Sequence, residues 1–319
     1  MAAKNDIRND EATTEKKRYR SRYADDLQAN VYKHFPSDHF LGNEQNVDHF
    51  MHWVTFYRRN LHRFATDVLG IKLHLYQIIM LYLMGVSQFF VVIASRASAK
   101  SFIIALYACI MCMLYPNYSI VLASGTRGQS KLLVSEKIQK ELMSMSPMLR
   151  RAISKIKDNQ GEVTVYFNDH ASITVVTAND NARGHRSNCI VREEFRQIKK
   201  NVDDGILSPF QITRQTPYMK LKAYENIPEL LEQPCDVYIS SSWVSNGHWM
   251  WDIVDKAYSE MLAGKPSCLL AFDESIALKH KIKTLKYFQS EKKKQDPTTW
   301  RVEFLNERVR DNQSAFFTY

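Results

Sequence analysis

At the point that decides its fold the sequence reads Phe89-Phe90-Val91-Val92-Ile93-Ala94-Ser95-Arg96-Ala97-Ser98-Ala99-Lys100-Ser101. The first half is apolar and rich in β-branched residues, which predicts a strand covered on both faces. The apolar run Phe102-Ile103-Ile104-Ala105-Leu106-Tyr107 that follows predicts a buried helix. The loop between them ends in Lys100 and Ser101, which is typical of a phosphate-binding loop. An NTPase is therefore the leading hypothesis.

The chemistry of such a loop comes from its backbone and from two side chains. Amides at a helix N-terminus bind anions, a lysine can reach the β- and γ-phosphates, and a serine hydroxyl can coordinate Mg²⁺. The spacing from Ala94 to Ser101 matches G-x-x-x-x-G-K-[ST], but Ala94 and Ala99 stand at the two glycine positions. Glycine accepts positive φ at little cost, whereas alanine does not. An ordinary strand-to-helix turn with a solvated lysine therefore stays open as the alternative.

Composition fits a globular protein with an anionic partner. The chain has 319 residues, 45% of them hydrophobic, enough for one large α/β domain or a domain with appendages. An excess of 43 Lys+Arg over 34 Asp+Glu gives a net charge of +9, which favours a partner such as nucleic acid. No apolar run approaches the ~20 residues of a membrane span, and the N-terminus has no secretory pattern. We expect a soluble, cytoplasmic protein.

The five cysteines follow no disulfide framework, which favours a reducing compartment. Cys109 and Cys112 lie in an apolar helical run with no second Cys/His pair after them, so we interpret them as core thiols.

Strand and helix patterns alternate along the chain, which predicts a mainly parallel sheet with helices on both faces. After a polar arm at 1–45 we expect amphipathic helices at 45–85, strands at 118–124, 188–192 and 236–241, helices at 129–145 and 201–209, and a hairpin of 163–167 with 172–176.

A second candidate segment supplies carboxylates. Glu193 and Glu194 follow a short apolar run at the carboxyl end of a predicted strand, where ligands gather in open α/β sheets. An NTPase needs an acid for Mg²⁺, which we assign to Glu193, and a base for the attacking water, which we assign to Glu194. Arg192 interrupts the apolar run, and glutamate replaces the more usual aspartate at the first position. A solvated Glu-Glu turn is the alternative.

Other segments stand in a specific order around these two. They are Tyr57-Arg58-Arg59-Asn60-Leu61-His62-Arg63-Phe64, Leu75-Tyr76-Gln77, Arg183-Gly184-His185-Arg186, Phe195-Arg196, Asp236-Val237-Tyr238-Ile239-Ser240-Ser241-Ser242 and Trp300-Arg301-Val302-Glu303-Phe304-Leu305-Asn306-Glu307. Over nearly the whole chain this order resembles the ATPase domain of the large terminase subunit of tailed bacteriophages. The resemblance implies an α/β fold with a mainly parallel P-loop NTPase sheet of the ASCE type, helices on both faces, and a small helical lid subdomain.

The resemblance also implies roles for individual residues. The ATP-binding loop would comprise Ser95, Arg96, Ala97, Ser98, Ala99, Lys100 and Ser101, with Arg96 near the γ-phosphate and Ser101 with Glu193 on Mg²⁺. Tyr76 and Gln77 resemble the adenine-recognition element, but a buried aromatic beside a capped polar residue is an equal alternative. Arg183 resembles an arginine presented to a neighbouring subunit's ATP, with Arg186 as its rival. Ser240, Ser241 and Ser242 resemble the motif that couples ATP hydrolysis to motion.

The implied function is a packaging motor that uses ATP and Mg²⁺ to translocate double-stranded viral DNA into a procapsid in the host cytoplasm. Its partners would be the portal protein and the small terminase subunit, and the chain would form a homo-oligomeric ring when docked or a monomer in isolation, without a membrane. Another nucleic-acid translocase such as a helicase, or a non-hydrolysing DNA-binding or assembly module, stays open.

The predicted organisation is an arm at 1–45, an ATPase core at 46–242 and a lid and linker region at 243–319. Terminase large subunits resemble two-part machines, and Asn312-Gln313-Ser314-Ala315-Phe316-Phe317 resembles the junction that precedes their nuclease. We therefore expect an ATPase-only fragment without DNA cleavage. The pairs Asp203-Asp204 and Asp252/Asp255 are interpreted as cap and helix-surface acids.

Overall fold

In the part of the chain that this computed structural model describes, eight strands form a single sheet in the order β3-β4-β5-β2-β6-β7-β1-β8. The described residues are 44–159, 162–179, 182, 184–212, 233–245 and 247–309. The strands are β1 Phe89–Ala94, β2 Ser119–Ser124, β3 Ile153–Asp158, β4 Glu162–Phe167, β5 Ser172–Thr177, β6 Cys189–Glu193, β7 Cys235–Ser240 and β8 Ser267–Phe272. All neighbours from β5 through β2, β6, β7 and β1 to β8 are parallel, whereas β3, β4 and β5 pair antiparallel.

Helices cover the sheet on both faces. The α-helices of the described residues are α1 Glu44–Arg59, α2 Leu61–Arg63, α3 Leu75–Val86, α4 Lys100–Leu114, α5 Arg127–Leu132, α6 Met143–Met145, α7 Pro147–Ala152, α8 Lys200–Val202, α9 Met250–Leu262, α10 Ser275–Lys279, α11 Leu285–Lys294 and α12 Pro297–Glu303. π-Helical turns at Phe64–Val68, Leu133–Leu142 and Asp203–Leu207, and 3₁₀ turns at Phe195–Gln197 and Ser208–Phe210, extend or connect them.

Strand β1 shows why its sequence is apolar without alternation. Phe90 and Val92 face a core that also contains α3 and α4, while Val91 and Ile93 face a second core that contains α9. Each face therefore buries every second residue of β1, as expected for a central parallel strand. Its two neighbours are β7 and β8, so β7 separates β1 from β6.

Most predicted elements are confirmed. The strands at 119–124, 189–193 and 235–240, the parallel sheet and the hairpin of β4 with β5 are present. The predicted helix at 129–145 is helical from Arg127 to Met145 with a π-helical centre, and 201–209 contains α8 and two short irregular turns. All five cysteines are free and buried, so the interpretation of Cys109 and Cys112 as core thiols holds.

Two strands were not predicted. β3 extends the antiparallel edge, and β8 lies within the region 243–319 that the sequence assigned to a lid and linker. Because β8 pairs with β1 along its whole length, this part of the region belongs to the main sheet. The boundaries at 45/46 and 242/243 stay predictions, and most of the predicted arm, residues 1–43, lies outside the described residues. None of the helices from Glu44 onward that the structure describes is long and apolar enough to cross a membrane.

Candidate active site

The loop after β1 turns sharply into α4, and two alanines take left-handed backbone conformations to do so. Ala97 has φ 67° and Ala99 has φ 55°, a region that costs a non-glycine residue about 1–2 kcal/mol. The loop is tightened by Ser98 Oγ, which donates to the Ser95 carbonyl at 2.7 Å. The backbone that glycine would favour is therefore present at the second glycine position of the motif, despite the alanine.

Lys100 is the first residue of α4, and its ammonium lies between the ends of three strands. Nζ donates to the carbonyls of Ala94 at 2.6 Å and Ser95 at 3.2 Å, and to Ser241 Oγ at 3.2 Å. Glu194 Oε1 is 3.7 Å away. Burial lowers the pKa of Lys100, and the carboxylate of Glu194 opposes that shift. A poorly hydrated cation at this position can bind an anion strongly.

Ser101 and Glu193 contact each other at the ends of α4 and β6. Ser101 Oγ donates to Glu193 Oε1. Burial raises the pKa of Glu193 from its usual 4.5 to about 7, while the Ser101 hydrogen bond acts in the opposite direction and Glu194 adds to the rise. A hydroxyl and a carboxylate are the hard oxygen donors that Mg²⁺ prefers. A cation beside Glu193 would favour its charged form, so this pair fits a magnesium ion.

Glu194 leaves β6 in a left-handed conformation, with φ 50°. Its Oε2 accepts a hydrogen bond from Ser240 Oγ at 3.1 Å and lies 3.2 Å from Arg196 Nε, whereas Oε1 faces Lys100. The strained turn separates the two adjacent carboxylates, because Glu193 contacts Ser101 and Glu194 lies beside β7. The pair can therefore take two different roles.

A cleft of about 500 Å³ opens beside these groups. It is lined by Ser101, Gln129, Leu132, Leu133, Glu136, Lys137, Glu193 and Glu194. Among the described residues no group of three or more His, Cys, Asp or Glu side chains could hold a metal by itself. A metal in this cleft would need further oxygens, from water or from a bound anion, in addition to Ser101 and Glu193.

Comparison with solved structures identifies the fold. The chain matches the ATPase domain of the large terminase of Thermus phage P74-26 with a TM-score of 0.53 and 13% identity, over 79% of this chain and 99% of that one. It has a terminase ATPase fold. The large terminase of bacteriophage HK97 matches with a TM-score of 0.52 and 15% identity, over 75% of this chain and 51% of that one.

The large terminase of the thermophilic bacteriophage D6E matches with a TM-score of 0.50 and 12% identity, over 75% of this chain and 54% of that one. The chain thus spans about half the length of the HK97 and D6E proteins. No family model and no curated protein matches the sequence.

The three serines after β7 all lie at this site. Ser240 contacts Glu194, Ser241 accepts from Lys100, and Ser242 is held by the segment after α12. The Ser242 amide donates to Asn306 Oδ1 at 3.1 Å, and its hydroxyl donates to the Glu307 carbonyl at 2.7 Å. Their role in coupling stays a prediction.

Tyr76 and Gln77 lie at the start of α3 beside the loop. The Tyr76 hydroxyl donates to the Ser98 carbonyl at 2.9 Å, and burial raises the pKa of Tyr76 to about 12. Gln77 Oε1 accepts from the His74 amide at 2.9 Å, which caps the helix. These contacts agree with the alternative of a buried aromatic beside a capped polar residue. They also place Tyr76 next to the loop, and adenine recognition stays a prediction.

The candidate arginines fall in different places. Arg96 is half-exposed, with its side chain 55% accessible, and Nε lies 3.0 Å from Glu303 Oε2 on α12. Arg186 is exposed, and its carbonyl accepts from Ser119 Oγ at 2.9 Å. Arg183 lies outside the described residues. A role for any of them at a γ-phosphate stays a prediction.

One expectation about charged residues near β6 is corrected. Arg192, which interrupts the apolar run of β6, is fully buried and ion-paired with Asp203 and Asp236. Asp203 is not a cap or surface acid, because it is 2% exposed and also accepts from the Tyr238 hydroxyl at 3.0 Å. Asp204, Asp252 and Asp255 are exposed, as expected of surface acids.

Three residues at the site were given no role by the sequence. Arg196 and Glu303 pair through Nη2 and Oε1 at 2.7 Å, and Asn306 donates to the carbonyls of Ile93 and Phe272. Two of them lie in the segment Trp300–Glu307, which contributed to the family resemblance. The order of the motifs therefore indicated the segment, but not its contacts.

Proposed function

We propose that the chain is an Mg²⁺-dependent ATPase that drives translocation of double-stranded DNA in a viral packaging motor. The observation that carries the ATPase assignment is the meeting of two distant segments. The loop end supplies Lys100 and Ser101, the end of β6 supplies Glu193 and Glu194, and they meet in two pairs, Ser101 with Glu193 and Lys100 with Glu194. This is the arrangement that phosphoryl transfer from a nucleotide requires.

Each residue then has a chemical task. The amides at the start of α4 and the ammonium of Lys100 bind the phosphates of ATP. Ser101 and Glu193 would hold Mg²⁺, which would supply positive charge to the phosphates of ATP. Glu194 orients a water molecule and accepts its proton as the water attacks the γ-phosphorus. Ser240, Ser241 and Ser242 lie where loss of the γ-phosphate would change their contacts, which supports a coupling role.

The motor assignment rests on the terminase ATPase fold together with the basic composition of the chain. In this proposal the partners are double-stranded DNA, the portal protein and the small terminase subunit, in the host cytoplasm. Arg183 of one subunit, or Arg186, completes the ATP site of the next subunit in a ring. The region 243–319 acts as lid and linker around β8, and a movement of this region delivers the stroke.

The test is Mg²⁺-dependent ATP hydrolysis by the wild-type chain and by Glu194→Gln over a wide range of protein concentration. We expect turnover that rises more steeply than linearly with concentration, and a loss of about 10²–10⁴-fold in the variant. The matched control is Glu260→Gln. Glu260 lies on α9 and pairs with Lys265, and its substitution should leave turnover unchanged. Equal activity in the wild type and Glu194→Gln, or ATP binding without turnover at every concentration, would contradict the ATPase.

A second measurement separates the motor from a helicase. Turnover stimulated by portal-bearing procapsids with double-stranded DNA supports packaging. Stimulation by single strands, with no response to procapsids, supports a helicase instead.

A further inference from the structure

The two carboxylate oxygens of Glu194 have different neighbours. Oε2 accepts from Ser240 Oγ at 3.1 Å and forms an ion pair with Arg196, whose Nε lies 3.2 Å away without donating a hydrogen bond. Oε1 faces Lys100, whose Nζ is 3.7 Å away. Lys100 is the phosphate-binding lysine of the proposed function, so Oε1 is on the side of the carboxylate where a nucleotide and its attacking water would lie.

The guanidinium of Arg196 is held beside Glu194 by hydrogen bonds that its other nitrogens make. Nη1 donates to the Ser242 carbonyl at 2.8 Å, and Nη2 donates to Glu303 Oε1 at 2.7 Å. The guanidinium also lies 4.9 Å from the centroid of the Trp243 ring. Arg196 is 6% exposed, so these contacts are made away from water, where they are strong.

We propose that Arg196 is a positioning residue for Glu194, which it holds by Oε2 so that Oε1 can accept the proton of the attacking water. This inference rests on the proposed function, since it assumes that Glu194 is the base. In this proposal Arg196 acts through Glu194 and not on the nucleotide. Hydrogen bonds to Glu303 and the Ser242 carbonyl fix the guanidinium, and its buried positive charge in turn attracts Oε2 of Glu194.

The test is a double-mutant cycle on kcat. Arg196→Met removes the positive charge and the N–H donors of the guanidinium but keeps an aliphatic side chain. We expect it to lower kcat by about 10–100-fold, the effect of misplacing a catalytic group by about 1 Å, with KM for ATP changed by less than about threefold. The kcat of Arg196→Lys should fall between that of the wild type and that of Arg196→Met. The lysine ammonium can reach Glu194 but cannot bind Ser242 and Glu303 simultaneously.

The decisive comparison is with Glu194→Gln. If Arg196 acts through Glu194, the variant Arg196→Met/Glu194→Gln is no slower than Glu194→Gln alone. Losses that multiply, or a change in KM with kcat intact, would overturn the proposal. Arg192→Met is the matched control, because Arg192 is an equally buried arginine that pairs with Asp203 and Asp236, and its effect should multiply with that of Glu194→Gln.

A second mutant background controls for a folding defect in Arg196→Met. Arg196→Met leaves Glu303 buried with Arg96 as its remaining ion-pair partner, so the same cycle is repeated in Glu303→Gln, where that carboxylate is neutral. Non-additivity in both backgrounds supports positioning, whereas its absence in both overturns it. The two failures are distinct: if Glu194→Gln itself keeps full turnover the proposed function fails, and if only the coupling is absent the role of Arg196 fails.

Discussion

Ser101 donates a hydrogen bond to Glu193, a residue 92 positions further along the chain. The contact exists because Ser101 lies in the first turn of α4, after β1, and Glu193 ends β6, two positions away in the sheet. Parallel strands bring their carboxyl ends to one edge, so both side chains reach the same cleft. The Glu193 carboxyl is buried, and its burial affects the free energy of unfolding.

We predict that Glu193 destabilises the nucleotide-free protein at neutral and alkaline pH. Burial raises the pKa of this carboxyl from 4.5 to about 7, so the folded state binds the proton more tightly than the unfolded state. The associated stability is present below pH 4.5 and is lost as the pH rises toward 7. Glu193→Gln should therefore raise the free energy of unfolding at pH 8 by about 1–3 kcal/mol and have a much smaller effect at pH 4.5.

Urea denaturation of both proteins at the two pH values checks this. A glutamine variant that is less stable than the wild type at pH 8 would show that the carboxylate is stabilised in the folded protein instead.

The left-handed alanine of the loop leads to a second prediction. Ala99 has φ 55°, and glycine removes the associated steric cost of about 1–2 kcal/mol while adding about 0.4–1 kcal/mol of unfolded-chain entropy. Ala99→Gly should therefore raise the free energy of unfolding by about 0.5–1 kcal/mol. Ala263→Gly is the matched control, because Ala263 is exposed with φ −79° and should only lose stability. Urea denaturation gives both values, and equal losses would mean that Ala99 is not strained.

Much of this site could be predicted because its signals are local. The buried strand, the Lys100-Ser101 ending and the two glutamates each follow from a short run of sequence and the rules for open parallel sheets. β8 was missed because its six residues, Ser267–Phe272, form a short apolar run that periodicity cannot separate from a buried helix segment.

The charged residues were missed for a different reason. Arg192 interrupts an apolar run, and nothing near it in sequence shows that Asp203 and Asp236 would lie beside it. Arg196 and Glu303 are 107 positions apart. Partners of buried charges are set by the tertiary fold, and a single sequence carries no local pattern for them.

The buried pair of Arg192 and Asp203 predicts a large loss of stability. Removal of one partner leaves an uncompensated buried charge, which costs about 3–5 kcal/mol. Asp203→Ala should therefore destabilise the protein strongly, whereas Asp204→Ala, at the exposed adjacent residue, should change stability by less than about 0.5 kcal/mol. Chemical denaturation of the two variants makes the comparison. Similar small losses would mean that Asp236 alone compensates the arginine.

Asn306 joins the ends of three strands and gives the last prediction. Its Nδ2 donates to the carbonyls of Ile93 on β1 and Phe272 on β8, and its Oδ1 accepts from the amide of Ser242 after β7. Asn306→Ala removes this partner from the Ile93 carbonyl and the Ser242 amide, while the Phe272 carbonyl still accepts from the Ser95 amide at 2.9 Å, and it should cost about 2–4 kcal/mol. Asn306 also has φ 55°, so Asn306→Gly should be more stable than Asn306→Ala by about 1 kcal/mol.

Asn117 provides the control for Asn306, since it is exposed and has a similar φ of 58°. The alanine and glycine variants of Asn117 should reproduce the backbone difference of about 1 kcal/mol without the larger loss. If Asn306→Ala costs no more than Asn117→Ala in urea denaturation, the three hydrogen bonds contribute nothing net. If the larger loss of stability persists in Asn306→Gly, the asparagine side chain is its source. Glycine removes the backbone strain but cannot form the three side-chain hydrogen bonds.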